Sequence, residues 1–321
     1  MSSSTNIVVL CGGIGGVKLV YGMDQVVDPG VLTVIGNTGD DHQPHGLHVS
    51  PDLDTVMYTL AGIVNPQTGW GLDNESFNFL SQIDKLGHDA WFQLGDKDLA
   101  THIVRTEILS KGQTLTEATK HLCKRYGLRS LIIPATNESV QTEIQTPMGW
   151  LPFQEYFVKH QCEPKVLDIA YKGIDDADAS EEALRAIHSA DLIVIAPSNP
   201  IASIGPIIEL KNLRRSLENS DALRVCVCPF VAGVSLKGPS DHMIKALGFE
   251  ASPKGVAEYY DGLIDVLIVD EVDAEYVDSI KSVRVRTAKT VMKSSLDKVN
   301  LANALFSIVL DCCKDIEIEK D

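Results

Sequence analysis

Two short acidic stretches, Asp40-Asp41 and Asp52-Leu53-Asp54, hold the side chains of this chain best suited to chemistry. Adjacent carboxylates beside a phosphate-binding turn suit Mg²⁺, a hard cation that selects oxygen ligands and bridges diphosphates. The competing reading of Asp40-Asp41 is an acidic, solvated loop. Such a turn does precede them. An apolar strand runs into Gly12-Gly13-Ile14-Gly15-Gly16-Val17-Lys18, followed by an apolar helical pattern. Glycine lets backbone approach a ligand closely, and the helix N-terminus offers free N–H groups and a positive dipole to phosphate. The turn departs from both familiar fingerprints: Lys18 stands where a dinucleotide motif ends in glycine, and Val17 where a Walker loop needs the glycine before its lysine. Tight strand–helix packing is the alternative role for these glycines.

After the second apolar run comes Asn37, where a nicotinamide-dependent dehydrogenase would carry a ribose-binding acid. The histidines His42, His45 and His48 do not converge at i, i+3, i+6 in a Gly/Pro loop, so a zinc site is not expected, and one histidine is expected to touch the ligand. Ser50 reads as an N-cap and Pro51 as the first helical residue of a segment whose buried stripe is Leu53, Val56, Met57 and Leu60. At about 100° per residue, Asp52 and Asp54 flank that stripe on opposite sides. Asp54, half buried at its edge, is expected to face a metal or hydroxyl. A proline-fixed turn, Pro197-Ser198-Asn199-Pro200, ends another apolar run and suits hydrogen bonding to a base or ribose, or a purely structural role.

These residues need a sheet to present them. Short β-branched runs at 7–10, 31–35, 131–133, 166–170, 192–196, 225–228, 266–269 and 283–285 alternate with helical stretches, which predicts an α/β fold with a doubly wound, mostly parallel, Rossmann-like sheet. Between about 66 and 126 the strand signal gives way to aromatic and helical segments, read as a helical insertion over the carboxyl ends of the strands. No Pro/Gly/Ser linker divides the chain, so residues 1–321 are expected to form a single domain. The 321 residues carry 28 Lys+Arg against 44 Asp+Glu, a net charge of −16, which argues against binding nucleic acid through phosphate neutralisation. Seven cysteines without framework spacing fit a reduced, cytoplasmic protein. Neither an export signal nor a membrane-length apolar run is found.

Further motifs extend this pattern in order: Asn37-Thr38-Gly39-Asp40-Asp41, His45-Gly46-Leu47, Ser50–Thr55, Tyr58-Thr59-Leu60, Gly69-Trp70-Gly71, Trp91–Asp98, Thr101-His102 with Arg105, Pro197–Pro206, and Gly255–Tyr260. Together with the Gly12–Gly16 turn they resemble the 2-phospho-L-lactate transferases of coenzyme F(420) biosynthesis, from about Ile7 to the last helix. The resemblance implies a transferase of substituted phosphate groups, Mg²⁺-dependent, that moves a 2-phospholactyl or phosphoenolpyruvyl group from an acyl-diphosphoguanosine donor to the deazaflavin Fo. GMP is released, giving F(420)-0 or its dehydro form. It assigns Gly12, Gly13, Gly15, Gly16, Lys18, Ser198 and Asn199 to the donor, Asp40 and Asp54 to catalysis and Mg²⁺ with Asp41 and Asp52 as second choices, and Asp54 and Gln93 to the acceptor. Gln93 departs from the basic residue frequent there, which removes a charge but keeps a hydrogen-bonding amide. It also implies a homodimer. A related family of non-catalytic proteins that bind nucleotide-diphosphate sugars shares the glycine turn and is the alternative.

Overall fold

In the computed structural model, residues 5–235 and 238–318 are described; the opening stretch 1–4, read above for export signals, lies outside them. Among the described residues the strands are β1 (Ile7–Cys11), β2 (Leu32–Gly36), β3 (Leu131–Pro134), β4 (Gln141–Thr146), β5 (Gly149–Pro152), β6 (Asp168–Lys172), β7 (Leu192–Ile195), β8 (Leu223–Val227), β9 (Phe230–Val231), β10 (Val234–Ser235), β11 (Val266–Asp270) and β12 (Arg284–Ala288). Seven form one sheet in the order β12-β11-β8-β7-β1-β2-β3, every neighbouring pair parallel. Every residue of β1, β7 and β11 is buried, as continuous apolar runs require when helices cover both faces. Alternation sends Ile7 and Val9 into one core and Val8 and Leu10 into the other. Each such fully buried aliphatic side chain contributes about 1.5–3 kcal/mol.

The chain winds outward from β1 through β2 to β3, then returns to β7 on the opposite side of β1. The carboxyl ends of β1 and β7 therefore flank the topological switch point, where open α/β sheets bind their ligands. The glycine turn leaves β1 there and opens helix α1 (Gly13–Val26). The segment between β2 and β3 carries α2 (Pro51–Leu60), α3 (Asn78–Lys85), α4 (Asp98–Ser110) and α5 (Leu115–Arg125). Helix α5 packs on β3 as an ordinary crossover helix, and α4 lies against α5.

The 166–170 run is not part of the parallel sheet. It falls largely in β6, which joins β4 and β5 in a separate antiparallel sheet ordered β5-β4-β6. Only one face of that sheet is covered: Thr142, Ile144 and Thr146 of β4 are buried and alternate with half-buried Gln141, Glu143 and Gln145. The polar sequence of β4 gave no apolar run to read. Among the described residues no cysteine is joined in a disulfide. Among the described residues no helix is long and apolar enough to cross a membrane.

Candidate active site

The glycine turn is a three-way junction. Gly13 adopts φ +63°, a left-handed conformation that favours glycine. A Cβ on Gly12 would collide with Asp52, one on Gly16 with Ser198 Oγ, and one on Gly15 would stand 2.5 Å from the carbonyl oxygen of Pro197. These glycines thus bring the β1 turn, the start of α2 and the loop after β7 into direct contact. Two amides of the turn are already engaged: Gly12 N–H donates to Ser198 Oγ (3.3 Å) and Gly13 N–H to Asp52 Oδ1 (2.6 Å). Lys18 donates to the carbonyl of Met292 (2.9 Å), and Asn199 Oδ1 accepts from the backbone of Ile201 and Ala202. The amides of Ile14 and Gly15, in the first turn of α1, lack intrahelical partners by the geometry of any helix start.

A cavity of about 470 Å³ opens at this junction. Of the residues singled out from sequence, Gly12, Gly13, Gly15, Lys18, Asp40, Asp52, Asp54, Gln93, Ser198 and Asn199 line it, whereas Gly16 and Asp41 do not. Asp40 and Asp52 share one amide: Asn37 Nδ2 donates to Asp40 Oδ1 (3.2 Å) and to Asp52 Oδ2 (2.9 Å), and Gln154 Nε2 donates to Asp40 Oδ2 (3.1 Å). Both carboxylates are buried among uncharged donors. Burial, then the charges of Asp52 and Asp41, pushes the Asp40 carboxyl well above its ordinary range. Burial likewise pushes Asp52 up to about 6, against the bonds from Asn37 and Gly13. Two hard oxygen donors on one cavity wall, each charge made costly by burial and by its neighbours, fit a divalent cation of the Mg²⁺ type.

Asp41 turns away from this pair. Its Oδ2 lies 2.8 Å from His48 Nε2 and accepts from Ser50 Oγ (2.8 Å), so Ser50 sits at the N-cap position of α2 without capping it. The three loop histidines diverge: His48 meets Asp41, His42 packs on Trp91 and Phe92, and His45 meets Phe79. None of them lines the cavity; the histidine that does is His102.

Asp54 is buried rather than half buried, and both its oxygens are engaged. Arg105 of α4, itself completely buried, donates from one terminal nitrogen to Asp54 Oδ2 (3.0 Å) and from the other to Oδ1. The same guanidinium donates to the carbonyl of His48 (3.3 Å). The expectation that Asp54 is half buried is therefore corrected, although it still lines the cavity: its fork-on-fork partner comes from a helix some fifty residues away, which α2 alone gives no means to foresee. Beside this pair, Asp98 Oδ1 accepts from Tyr58 OH and lies 3.2 Å from His102 Nε2. Burial raises the Asp98 carboxyl, but the hydrogen bonds and charge of His102 and the Tyr58 hydroxyl outweigh it and hold the group below its ordinary value. Tyr58, Asp98, His102 and Arg105 all stand in the motifs quoted from the sequence, with no role given to any of them there. The i, i+4, i+7 spacing of Asp98, His102 and Arg105 was a signal that they share one helix face. Phe153 and Phe157, stacked at 5.5 Å and 8°, and exposed Trp70 complete an apolar side of the cavity.

Known proteins similar to this chain match it over nearly its whole length. Residues 7–307 match the family described as 2-phospho-L-lactate transferase CofD. The 2-phospho-L-lactate transferase of Methanocaldococcus jannaschii is 38% identical over 300 residues, spanning 92% of this chain and 96% of that one. The phosphoenolpyruvate transferase of Streptomyces griseus is 38% identical over 298 residues, spanning 91% and 94%. In fold, the chain is similar to a UPF0052 family protein from Bacillus halodurans, with a TM-score of 0.67 at 17% identity over 95% of this chain and all of the other. A match that runs from the first residue of β1 to the last helix takes in the glycine turn, both acidic stretches and α4 together, and the chain belongs to the 2-phospho-L-lactate transferase CofD family.

Proposed function

We propose that this protein transfers a 2-phospholactyl or phosphoenolpyruvyl group from an acyl-diphosphoguanosine donor to the terminal ribityl hydroxyl of the deazaflavin Fo, releasing GMP. The supporting observation is the convergence of the glycine turn and the buried Asp40/Asp52 pair on one cavity at the switch point. In this reading the hydroxyl oxygen attacks the acyl-bearing phosphorus and GMP departs. Such a transfer needs positioning and charge neutralisation more than covalent catalysis.

The first-turn amides of Ile14 and Gly15, with Ser198 and Asn199 beyond them, border the donor side. Gln93 and the aromatic side chains border the acceptor side, where a planar ring stacks on Phe153, Phe157 or Trp70. Asp40 and Asp52 would hold Mg²⁺, which when bound supplies positive charge against the diphosphate. Asp54 keeps Arg105 and α4 in place. Both acyl groups remain within the proposal because relatives of either name match equally well, and an apolar pocket discriminates so small a difference by only about 1–3 kcal/mol. The sugar-nucleotide sensor is not favoured, since relatives covering more than nine-tenths of the chain are named for transferases. A cytoplasmic homodimer is carried by the family resemblance and is read out by light scattering. GMP release is the test. It is expected to require protein, Fo and Mg²⁺ together; release independent of Fo contradicts the transfer.

A further inference from the structure

Resting on that reaction, the structure assigns the group that meets the reacting hydroxyl. We propose that Asp98 presents its Oδ2 to the acceptor hydroxyl and receives its proton as the phosphodiester forms.

Four aspartates line the cavity. Asp40 and Asp52 stand together beside the glycine turn, and Asp54 has both oxygens on Arg105. Asp98 differs from all three. Both protein groups that reach it converge on Oδ1, Tyr58 OH by a hydrogen bond and His102 Nε2 at 3.2 Å. Its Oδ2 accepts from no described side chain, and the residue, only 8% exposed, lines the cavity.

The surrounding groups fix this orientation. Arg105 lies 3.4 Å from His102 Nδ1, which holds the ring with its Nε2 toward Asp98 Oδ1 at 3.2 Å. Glu75 accepts the backbone N–H groups of Lys97 (2.7 Å) and Asp98 (3.1 Å), pinning the start of α4. Tyr58 and His102 are thus positioning residues for an anionic acceptor whose free oxygen faces the substrate, next to the wall that carries Gln93.

In the step, the hydroxyl oxygen bonds to phosphorus, and the bond from that phosphorus to the oxygen bridging to GMP breaks. GMP leaves with the electron pair. The hydroxyl proton passes to Asp98 Oδ2 and then to solvent.

The test combines Asp98→Asn with an Fo analogue lacking the terminal hydroxyl. Asn keeps an oxygen for Tyr58 and His102 but cannot take the proton. Turnover is expected to fall about 100-fold or more, with donor Kd and Tm unchanged. Deleting the hydroxyl is expected to weaken acceptor binding roughly tenfold in the wild type and by less than about twofold in D98N. Equal loss in both proteins, or D98N turning over at the wild-type rate, overturns the proposal. Should D98N not fold, Asp98→Glu carries the same cycle: the displaced carboxylate is expected to reduce both turnover and the hydroxyl's contribution, and wild-type values for both overturn it. A wild type that transfers nothing removes the reaction itself, whereas an active wild type matched by D98N removes only the role of Asp98.

Discussion

Asp54→Asn is expected to act first on stability. Arg105 is completely buried, and Asp54 supplies an acceptor to each of its terminal nitrogens; its Nε has no hydrogen-bond partner among the described residues. Asparagine offers one oxygen where the carboxylate offered two and removes the carboxylate charge that acts most strongly on the guanidinium. Removing one partner of a buried pair costs about 3–5 kcal/mol. With unfolding entropy of about 2.1 cal/mol/K per residue, a chain of 321 residues loses roughly 1.5 °C per kcal/mol, so the melting temperature is expected to fall by about 4–7 °C. Circular dichroism melting in EDTA measures this without any contribution from metal. Replacing the whole pair, Asp54→Leu with Arg105→Met, is expected to recover most of the loss, because two apolar side chains leave no charge to compensate. A D54N protein that melts within about 1 °C of wild type yet has lost turnover would refute the reasoning and return Asp54 to the substrates.

Asp40→Asn is expected to abolish Mg²⁺-dependent turnover while the EDTA melting temperature stays level or rises, since it relieves repulsion between buried carboxylates; full activity of the variant would remove the metal assignment. The pH dependence of the metal-free protein follows from Asp52, whose folded value of about 6 exceeds its ordinary 3.8. The folded state binds the extra proton, so this contribution is fully present below about pH 4 and is lost as pH rises through about 6, on the order of 3 kcal/mol in all. Urea titrations across that window are expected to show the decline in wild type and a flatter profile in Asp52→Asn. Gly15→Ala drives a methyl against the Pro197 carbonyl and is expected to cost about 1–3 kcal/mol and to weaken donor binding by separating the two loops, which calorimetry reads directly.

The parallel sheet was legible because its strands are apolar on both faces, and the runs at 7–10, 192–196 and 266–269 fall on buried strands almost residue for residue. The antiparallel sheet was not, because β4 reads Gln-Thr-Glu-Ile-Gln-Thr and its buried threonines carry no hydrophobic signal. At the site, the divergence of Asp52 and Asp54 followed from helix geometry alone: one meets the glycine turn and the other Arg105. Which carboxylate keeps an open oxygen depended on α4 and on Gln154, contacts across tens of residues in sequence that no local pattern encodes. The glycine turn held a similar surprise. Its spacing suggested amides free for phosphate, whereas two of them are spent on Ser198 and Asp52, joining three loops into one junction.

Mass spectrometry of the deazaflavin after incubation of the protein with Fo, Mg²⁺ and a mixture of lactyl-, enolpyruvyl- and glyceryl-diphosphoguanosine tests the proposed transfer most directly. The expected result is a new phosphodiester of Fo formed one for one with GMP, its mass naming the acyl group. Unchanged Fo beside intact donors, with guanosine or uridine diphosphates still bound to the protein, would contradict the transfer and favour a nucleotide-binding role.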